Sequence, residues 1–221
     1  GASSELYIVS DSQSISMLIL VIDNSPIGPY RPKMTKFKKR LRDITKTKVR
    51  AVSFSSLRLE RVQEIVEKST ALILGGFGSW ISREYYPVVY REEFSIIRES
   101  DKPILGICGG HQLMAMALGG RVKGQGYLVK GFKRVEILEY TPLFDGLDRF
   151  ITVYENHRDH VVKLPSNFKI SATSKYTRVE AMYSTDRPLY GVQFHPERYN
   201  DRHMDGRVIL ENFWKIAKGL L

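Results

Sequence analysis

Along this chain, short apolar runs alternate with longer segments of helical spacing. Leu18-Ile19-Leu20-Val21-Ile22 is continuously apolar and ends at Asp23-Asn24, the pattern of a strand buried on both faces in a parallel sheet. Ser25 to Pro32 is rich in turn residues and delays the first helix to about Lys33 to Asp43. Val49 to Phe54 is a second strand, Leu57 to Lys68 repeats its apolar residues at helical spacing, and Ala71-Leu72-Ile73-Leu74 is a third strand that stops at Gly75-Gly76-Phe77-Gly78-Ser79. Tyr85 to Ser100 reads as one helix, with Pro87 near its first turn, where proline is tolerated. A fourth apolar run, Pro103 to Ile107, leads through a glycine-flanked turn into the helix-forming run His111 to Leu118. This alternation predicts an α/β fold, a mostly parallel sheet flanked by helices and joined by right-handed crossovers. Ligands of such sheets bind at the carboxyl ends of the strands.

Past Gly119-Gly120 the pattern changes to short strands separated by turn residues. The candidates are Arg121 to Lys123, Phe132 to Ile137, Ile151 to Tyr154, Phe168 to Ala172, Val179 to Tyr183 and Leu189 to Phe194. A last helix, about Gly206 to Lys218, offers Val208, Ile209, Phe213, Trp214 and Ile216 as a packing face. The expectation is one α/β domain over residues 17–221 with a strand-rich C-terminal half. Residues 1–16 read as a tag or a native extension, in which Glu5 to Val9 suits a short edge strand.

At 221 residues the chain is long enough to bury a full core. No apolar run approaches membrane-spanning length, and the start has no basic region of the signal-peptide kind. One cysteine forms no internal disulfide, so a cytoplasmic setting is expected. The net charge of +10 is concentrated in Arg31 to Arg50, where Lys33, Lys36, Lys38, Lys39, Arg40, Arg42, Lys46 and Lys48 face a single acid, Asp43. Such a run is usually a solvated helix face. Its sharper reading is a docking face for an acidic partner or a nucleic acid. No aromatic-interleaved binding motif accompanies it, so no nucleic-acid partner is expected.

The candidate chemistry lies in two stretches. Gly106-Ile107-Cys108-Gly109-Gly110-His111-Gln112 has the Gly-x-Cys-x-Gly form of a strand–nucleophile–helix elbow. The turn crowds its neighbours, so small residues flank the nucleophile, and the sulfur falls at a helix N-terminus, whose partial positive charge suits an anionic nucleophile. A lone cysteine in an apolar run also reads as an inert core thiol; the paired glycines argue for the nucleophile. Tyr190-Gly191-Val192-Gln193-Phe194-His195-Pro196-Glu197 supplies a histidine and a carboxylate two residues apart. Alternate residues of an extended segment share a face, and a nucleophile needs a base and the base an orienting group. Pro196 ends regular pairing there.

Together these stretches resemble the class I glutamine amidotransferases of the triad type, over the chain from about Met17 onward. The resemblance implies a flavodoxin-like fold and a Cys108, His195 and Glu197 triad. It also implies oxyanion donors from the backbone of Gly76 and Gly109, and a substrate contact from Gln112. Phe77 stands where that family's Gly-Gly-Pro loop has proline, and Gly109 where a bulkier residue is commoner. Tyr154-Glu155-Asn156-His157-Arg158-Asp159 resembles the Trp-x-Ser-His-x-Asp segment of the glutaminase subunit of guanosine monophosphate synthetase, which adds Asn156 and His157 as substrate contacts; Tyr154, Asn156 and Arg158 depart from that pattern. His157 and His160 read equally as exposed loop histidines, the favoured reading for His160, and His111 as packing beside the elbow. His157, His160, His195 and His203 are scattered, and there is neither a second cysteine nor a nucleotide-binding glycine motif. No metal or cofactor is therefore expected. The implied activity is hydrolysis of the glutamine side-chain amide, with ammonia passed to a separate ATP-using synthetase, guanosine monophosphate synthetase being the best match. The alternatives are a stand-alone γ-glutamyl hydrolase and a non-catalytic binding protein, the latter disfavoured by the complete triad.

Overall fold

Nine strands form a single sheet in a computed structural model that describes residues 16–25, 31–77 and 82–221. In chain order the first half gives β1 (Leu18–Asp23), α1 (Arg31–Thr45), β2 (Lys48–Ser53), α2 (Glu60–Lys68), β3 (Ala71–Leu74), α3 (Tyr86–Val89), α4 (Arg91–Glu99), β4 (Ile104–Ile107) and α5 (Gly109–Ala117). The second half gives β5 (Arg121–Ile137), β6 (Phe150–Lys163), β7 (Phe168–Thr173), β8 (Ala181–Ser184), β9 (Leu189–Val192) and α6 (Asp205–Ala217). The strand order is β2-β1-β3-β4-β9-β8-β7-β5-β6. β2, β1, β3, β4 and β9 pair in parallel, and from β9 onward every pairing is antiparallel. The parallel half has the doubly wound order of flavodoxin-like sheets, and the antiparallel half is the strand-rich C-terminal region.

The continuous apolar runs become the central strands because both faces of the sheet are covered. One core layer joins Ile19, Val21, Ile73 and Leu105 to Phe37 and Leu41 of α1 and to Ile209, Phe213 and Trp214 of α6. The other joins Leu20, Leu72 and Ile104 to Val62 of α2, Phe94 and Ile97 of α4, and Leu113 and Met114 of α5. Residues of opposite parity along each strand feed opposite layers, as the two-residue period of a strand requires.

The structure departs from the sequence pattern in three places. The expected strands at 121–123 and 132–137 are one long strand, β5, paired with a β6 that runs through the 154–159 segment. The middle of β5, from Lys123 to Leu128, is largely exposed, so it lacks an apolar pattern to join the two expected strands and rests on backbone pairing with β6. The helix expected over Tyr85 to Ser100 breaks at Tyr90, whose φ of −104° and ψ of 27° separate α3 from α4. α2 begins at Glu60, because a 3-10 turn at Phe54–Ser56, capped by the Ser53 side chain, takes up the preceding residues. The proposed edge strand at Glu5 to Val9 and the loop residues Gly78 and Ser79 lie outside the described residues. Among the described residues no helix is long and apolar enough to cross a membrane.

Candidate active site

Two neighbouring parallel strands deliver the two motifs to the same place, the carboxyl ends of β4 and β9. Gly106 of β4 is in register with Gly191 of β9 and Ile107 with Val192, and the Cys108 N–H donates to the Val192 carbonyl at 2.8 Å. The chain then turns sharply. Cys108 has φ of 51° and ψ of −102° and stands immediately before α5; such a conformation in a residue with a side chain is strained by about 1–3 kcal/mol and persists only where its surroundings enforce it. The flanking glycines do the enforcing. A Cβ on Gly110 would lie 2.2 Å from the Leu74 carbonyl oxygen, and one on Gly106 would lie 2.7 Å from the Gly110 carbonyl oxygen. Elbow, β3 and α5 therefore close on each other only through bare backbone.

His195 follows β9, and its N–H donates to the Tyr154 carbonyl of β6 at 2.7 Å. Its Nδ1 lies 2.7 Å from Glu197 Oε1, and its ring and Cys108 both border Gly76. Burial works against a charge on His195, but the charges and hydrogen bonds of Glu197 and Cys108 outweigh it and raise its pKa well above the ordinary imidazole value. Glu197 sits on a short 3-10 turn, Pro196–Arg198. Gly76 comes in from the end of β3. A Cβ there would meet His195 Cε1 at 3.2 Å, Cys108 Cβ at 3.6 Å and the Gly109 nitrogen at 3.9 Å. The structure thus brings Cys108, His195, Glu197, Gly76 and Gly109 together.

A cavity of about 190 Å³ opens beside the thiol, lined by Cys108, Gly109, Gln112, Asn156, His157 and Asp159 among others. Gln112 is held by its amide nitrogen, which donates to the Asp159 carbonyl at 2.9 Å and to Gln193 Oε1 at 3.2 Å. Asn156 is exposed and places its backbone carbonyl 3.9 Å from Cys108 Sγ. His157 is buried, with Nδ1 2.9 Å from the Asp159 carbonyl and Nε2 3.2 Å from Glu155 Oε2. Neither His157 nor His160 is an exposed loop histidine: both lie on β6, and His160 is half-buried. His111 does pack beside the elbow. It is fully buried against Gly191, and burial pushes its pKa down to about 3.

Three features escape the sequence patterns. Gln193 is buried behind the thiol, its Nε2 donating toward Cys108 Sγ at 3.6 Å. Its sequence signals are an amide inside an apolar strand and a place in the Tyr190–Glu197 stretch, neither of which points to the thiol. Glu155 and Glu180 meet as a buried carboxyl pair beneath His157; burial raises both, Glu155 to about 7, and the Glu155 carboxylate further disfavours a second charge on Glu180. No local pattern brings these distant residues together. Third, the Phe77 ring fills the space beside Gly109: a Cβ on Gly109 would lie 2.4 Å from Phe77 Cδ1. The ring stacks on Tyr90 and meets Tyr86 edge-on. The two departures from the family pattern are therefore one local exchange of volume. Among the described residues no group of three His, Cys, Asp or Glu side chains is arranged to hold a metal ion.

A family model described as glutamine amidotransferase class-I matches residues 33–216. A glutamine-hydrolysing GMP synthase subunit of Methanothermobacter thermautotrophicus is 39% identical over 158 residues, which span 71% of this chain and 80% of that one. Its counterpart in Methanobrevibacter smithii, of the same name, is 34% identical over 207 residues, or 91% of this chain and 97% of that one. Among solved structures, a candidate GMP synthase subunit from Thermoplasma acidophilum is similar with a TM-score of 0.77 at 27% identity, covering 92% of this chain and 95% of that one.

Proposed function

Because this chain belongs to the class I glutamine amidotransferases, we propose that it is the glutamine-hydrolysing subunit of a two-chain GMP synthetase. In this reading Cys108 is the nucleophile, His195 the general base and acid, and Glu197 the group that orients His195. The observation that carries it is the placement of Cys108, in its strained turn, beside a His195 whose far nitrogen is 2.7 Å from Glu197.

Glutamine enters the cavity beside Cys108, with Gln112, Asn156 and His157 along its walls. The thiolate attacks the side-chain amide carbon, and the carbonyl oxygen takes up the displaced electron pair next to the Gly76 and Gly109 backbone, the proposed oxyanion donors. His195 gives its proton to the departing nitrogen. Ammonia leaves, and a thioester to Cys108 remains. His195, now neutral, takes a proton from water, whose oxygen attacks the thioester; the C–S bond breaks, glutamate leaves, and the thiolate is restored beside a protonated His195. Glu197 holds Nδ1 as the protonated nitrogen, so that the other nitrogen faces the sulfur. The ammonia is consumed by an ATP-using synthetase on another chain. Two relatives named as GMP synthase subunits share most of their length with this chain, which supports that division of labour.

The test is ammonia release from glutamine by the purified chain, alone and with the ATP-using GMP synthetase subunit of the same organism, beside Cys108→Ala. A glutamine-like electrophile should label Cys108, turnover should be slow alone and rise with the synthetase, and the mutant should lack both. Brisk turnover alone, unaffected by the synthetase, would instead favour the γ-glutamyl hydrolase. A folded chain that neither labels nor turns over in either setting would sink the assignment.

A further inference from the structure

The basic helix α1 is attached to the candidate active site. Its inner side packs Phe37 and Leu41 into the core. Arg40 reaches out of it to the turn that bears Glu197. Its Nη1 donates to the Tyr199 carbonyl at 2.9 Å and to the carbonyl of Glu197 itself, and its guanidinium lies 4.3 Å from the centre of the Tyr199 ring. One side chain thus ties α1 to the backbone on both sides of Arg198.

The outer side of the helix is cationic. Lys36, Lys39, Arg42 and Lys46 are exposed, and the one acid among them, Asp43, is paired with Lys39 at 2.9 Å. At helical spacing Lys36, Lys39 and Arg42 share one face, and Lys46, in a left-handed turn with φ of 53°, follows the end of the helix. The face adjoins a cavity of about 510 Å³, whose walls include Lys36, Arg40, Tyr154, His195 and Glu197. This larger cavity lies on the His195 side and shares Phe77 and Asn156 with the smaller cavity at Cys108. Asp23 and Glu197 are the acids along its wall. An occupant of the cationic face therefore stands at the rim of the cavity that reaches His195. The face carries no exposed aromatic side chain, so it offers no stacking platform for bases. Its chemistry suits an acidic protein surface, guided by charge and sensitive to salt.

We propose that α1 is a coupling helix: its outer face docks on an acidic surface of the ATP-using synthetase subunit, and Arg40 ties the docked helix to the Glu197 turn. The inference deepens the function proposed above and rests on it. Lys36, Lys39, Arg42 and Lys46 supply the recognition. Arg40 is a positioning residue: its hydrogen bonds go to backbone carbonyls, and it acts through the backbone that sets where Glu197 meets His195.

The experiment uses the purified synthetase chain as the probe and measures affinity and glutaminase stimulation separately. Lys39→Glu combined with Arg42→Glu should weaken synthetase binding about tenfold or more at low salt, by less at high salt, and leave glutamine hydrolysis by the free chain within about twofold of wild type. The neutral pair Lys39→Gln with Arg42→Gln should fall between, and serves if the charge reversal impairs folding. Arg40→Ala should bind the synthetase within about threefold of wild type yet lose most of the stimulation, and Arg40→Lys should recover part of it. A merely structural Arg40 would lower melting temperature, free rate and stimulated rate together. The docking face is overturned if the wild-type chain does not bind the synthetase, or if charge reversal leaves binding and stimulation intact. It is overturned as well if charge reversal abolishes binding to a mixed-sequence DNA duplex while synthetase binding persists. The coupling is overturned if Arg40→Ala is stimulated like the wild type. Failure of the underlying function shows separately, as absent labelling of Cys108 and absent ammonia release whatever the binding data say.

Discussion

Glu197 touches His195 at 2.7 Å and does not line the cavity beside Cys108, so its proposed contribution passes through the imidazole. Glu197→Gln keeps a hydrogen-bonding partner for Nδ1 but removes a charge that raises the His195 pKa. Its loss of kcat should be about two orders of magnitude smaller than that of Cys108→Ala, the relation between orienting and attacking members of comparable triads. Steady-state ammonia release checks this, with electrophile labelling of Cys108 retained in the Gln variant. Equal losses would mean that Glu197 does more than orient. These residues were legible in the sequence because each is pinned by its immediate neighbours: Cys108 by Gly106 and Gly110, and Glu197 by its spacing from His195. Gln193, Glu155 and Glu180 were not, since their roles come from neighbours far along the chain. Phe77 and Gly109 were visible as two separate oddities; only the fold makes them one contact.

At the scale of elements, that contact is where the loop after β3 meets the first turn of α5. Gly109 is not among the residues of positive φ, so its backbone tolerates a side chain, and the nearest atoms that a Cβ would meet all belong to the Phe77 ring. Gly109→Leu should destabilise by about 1–3 kcal/mol through overpacking. Phe77→Ala should cost a similar amount by vacating space against Tyr86 and Tyr90. Phe77→Ala with Gly109→Leu should recover at least about 1 kcal/mol of the summed loss, because one side chain then fills the volume left by the other. Urea unfolding of the four proteins measures the coupling, and strict additivity would show that the ring yields freely. The same contrast explains which elements the sequence displayed. β1 up to Ile22, β3 and β4 carry no polar side chain because both faces are covered, whereas β5 is exposed along much of its length and stands on pairing with β6. A periodicity argument sees the first kind whole and finds only the two ends of the second.

Across the whole molecule, the most buried charge question lies away from the thiol. Glu93 of α4 is fully buried and accepts from Asn24 Nδ2 at 2.9 Å, while the same amide donates to the Gly75 carbonyl at 3.0 Å. One carboxyl group thereby links α4, the end of β1 and the loop that carries Gly76. Burial raises the Glu93 pKa from an ordinary 4.5 to about 8, against the opposing pull of the Asn24 hydrogen bond. The folded state therefore holds this proton more tightly than the unfolded chain does. Its contribution to stability is fully present below pH 4.5, is lost as pH rises toward about 8, and stays lost above that. The slope approaches about 1.4 kcal/mol per pH unit within that window. Glu155 and Glu180, also raised by burial, lose stability in the same direction, so the wild-type curve alone does not isolate Glu93. Glu93→Gln does, because it keeps an oxygen for Asn24 and has no proton to lose. Melting temperatures of the two proteins, followed from pH 5 to pH 9, should diverge, the wild type falling more steeply up to about pH 8 and the curves running parallel beyond it. Parallel curves throughout would mean that Glu93 ionises in the folded protein as easily as in water, and that the link from α4 to the Gly76 loop is made by a carboxylate already charged.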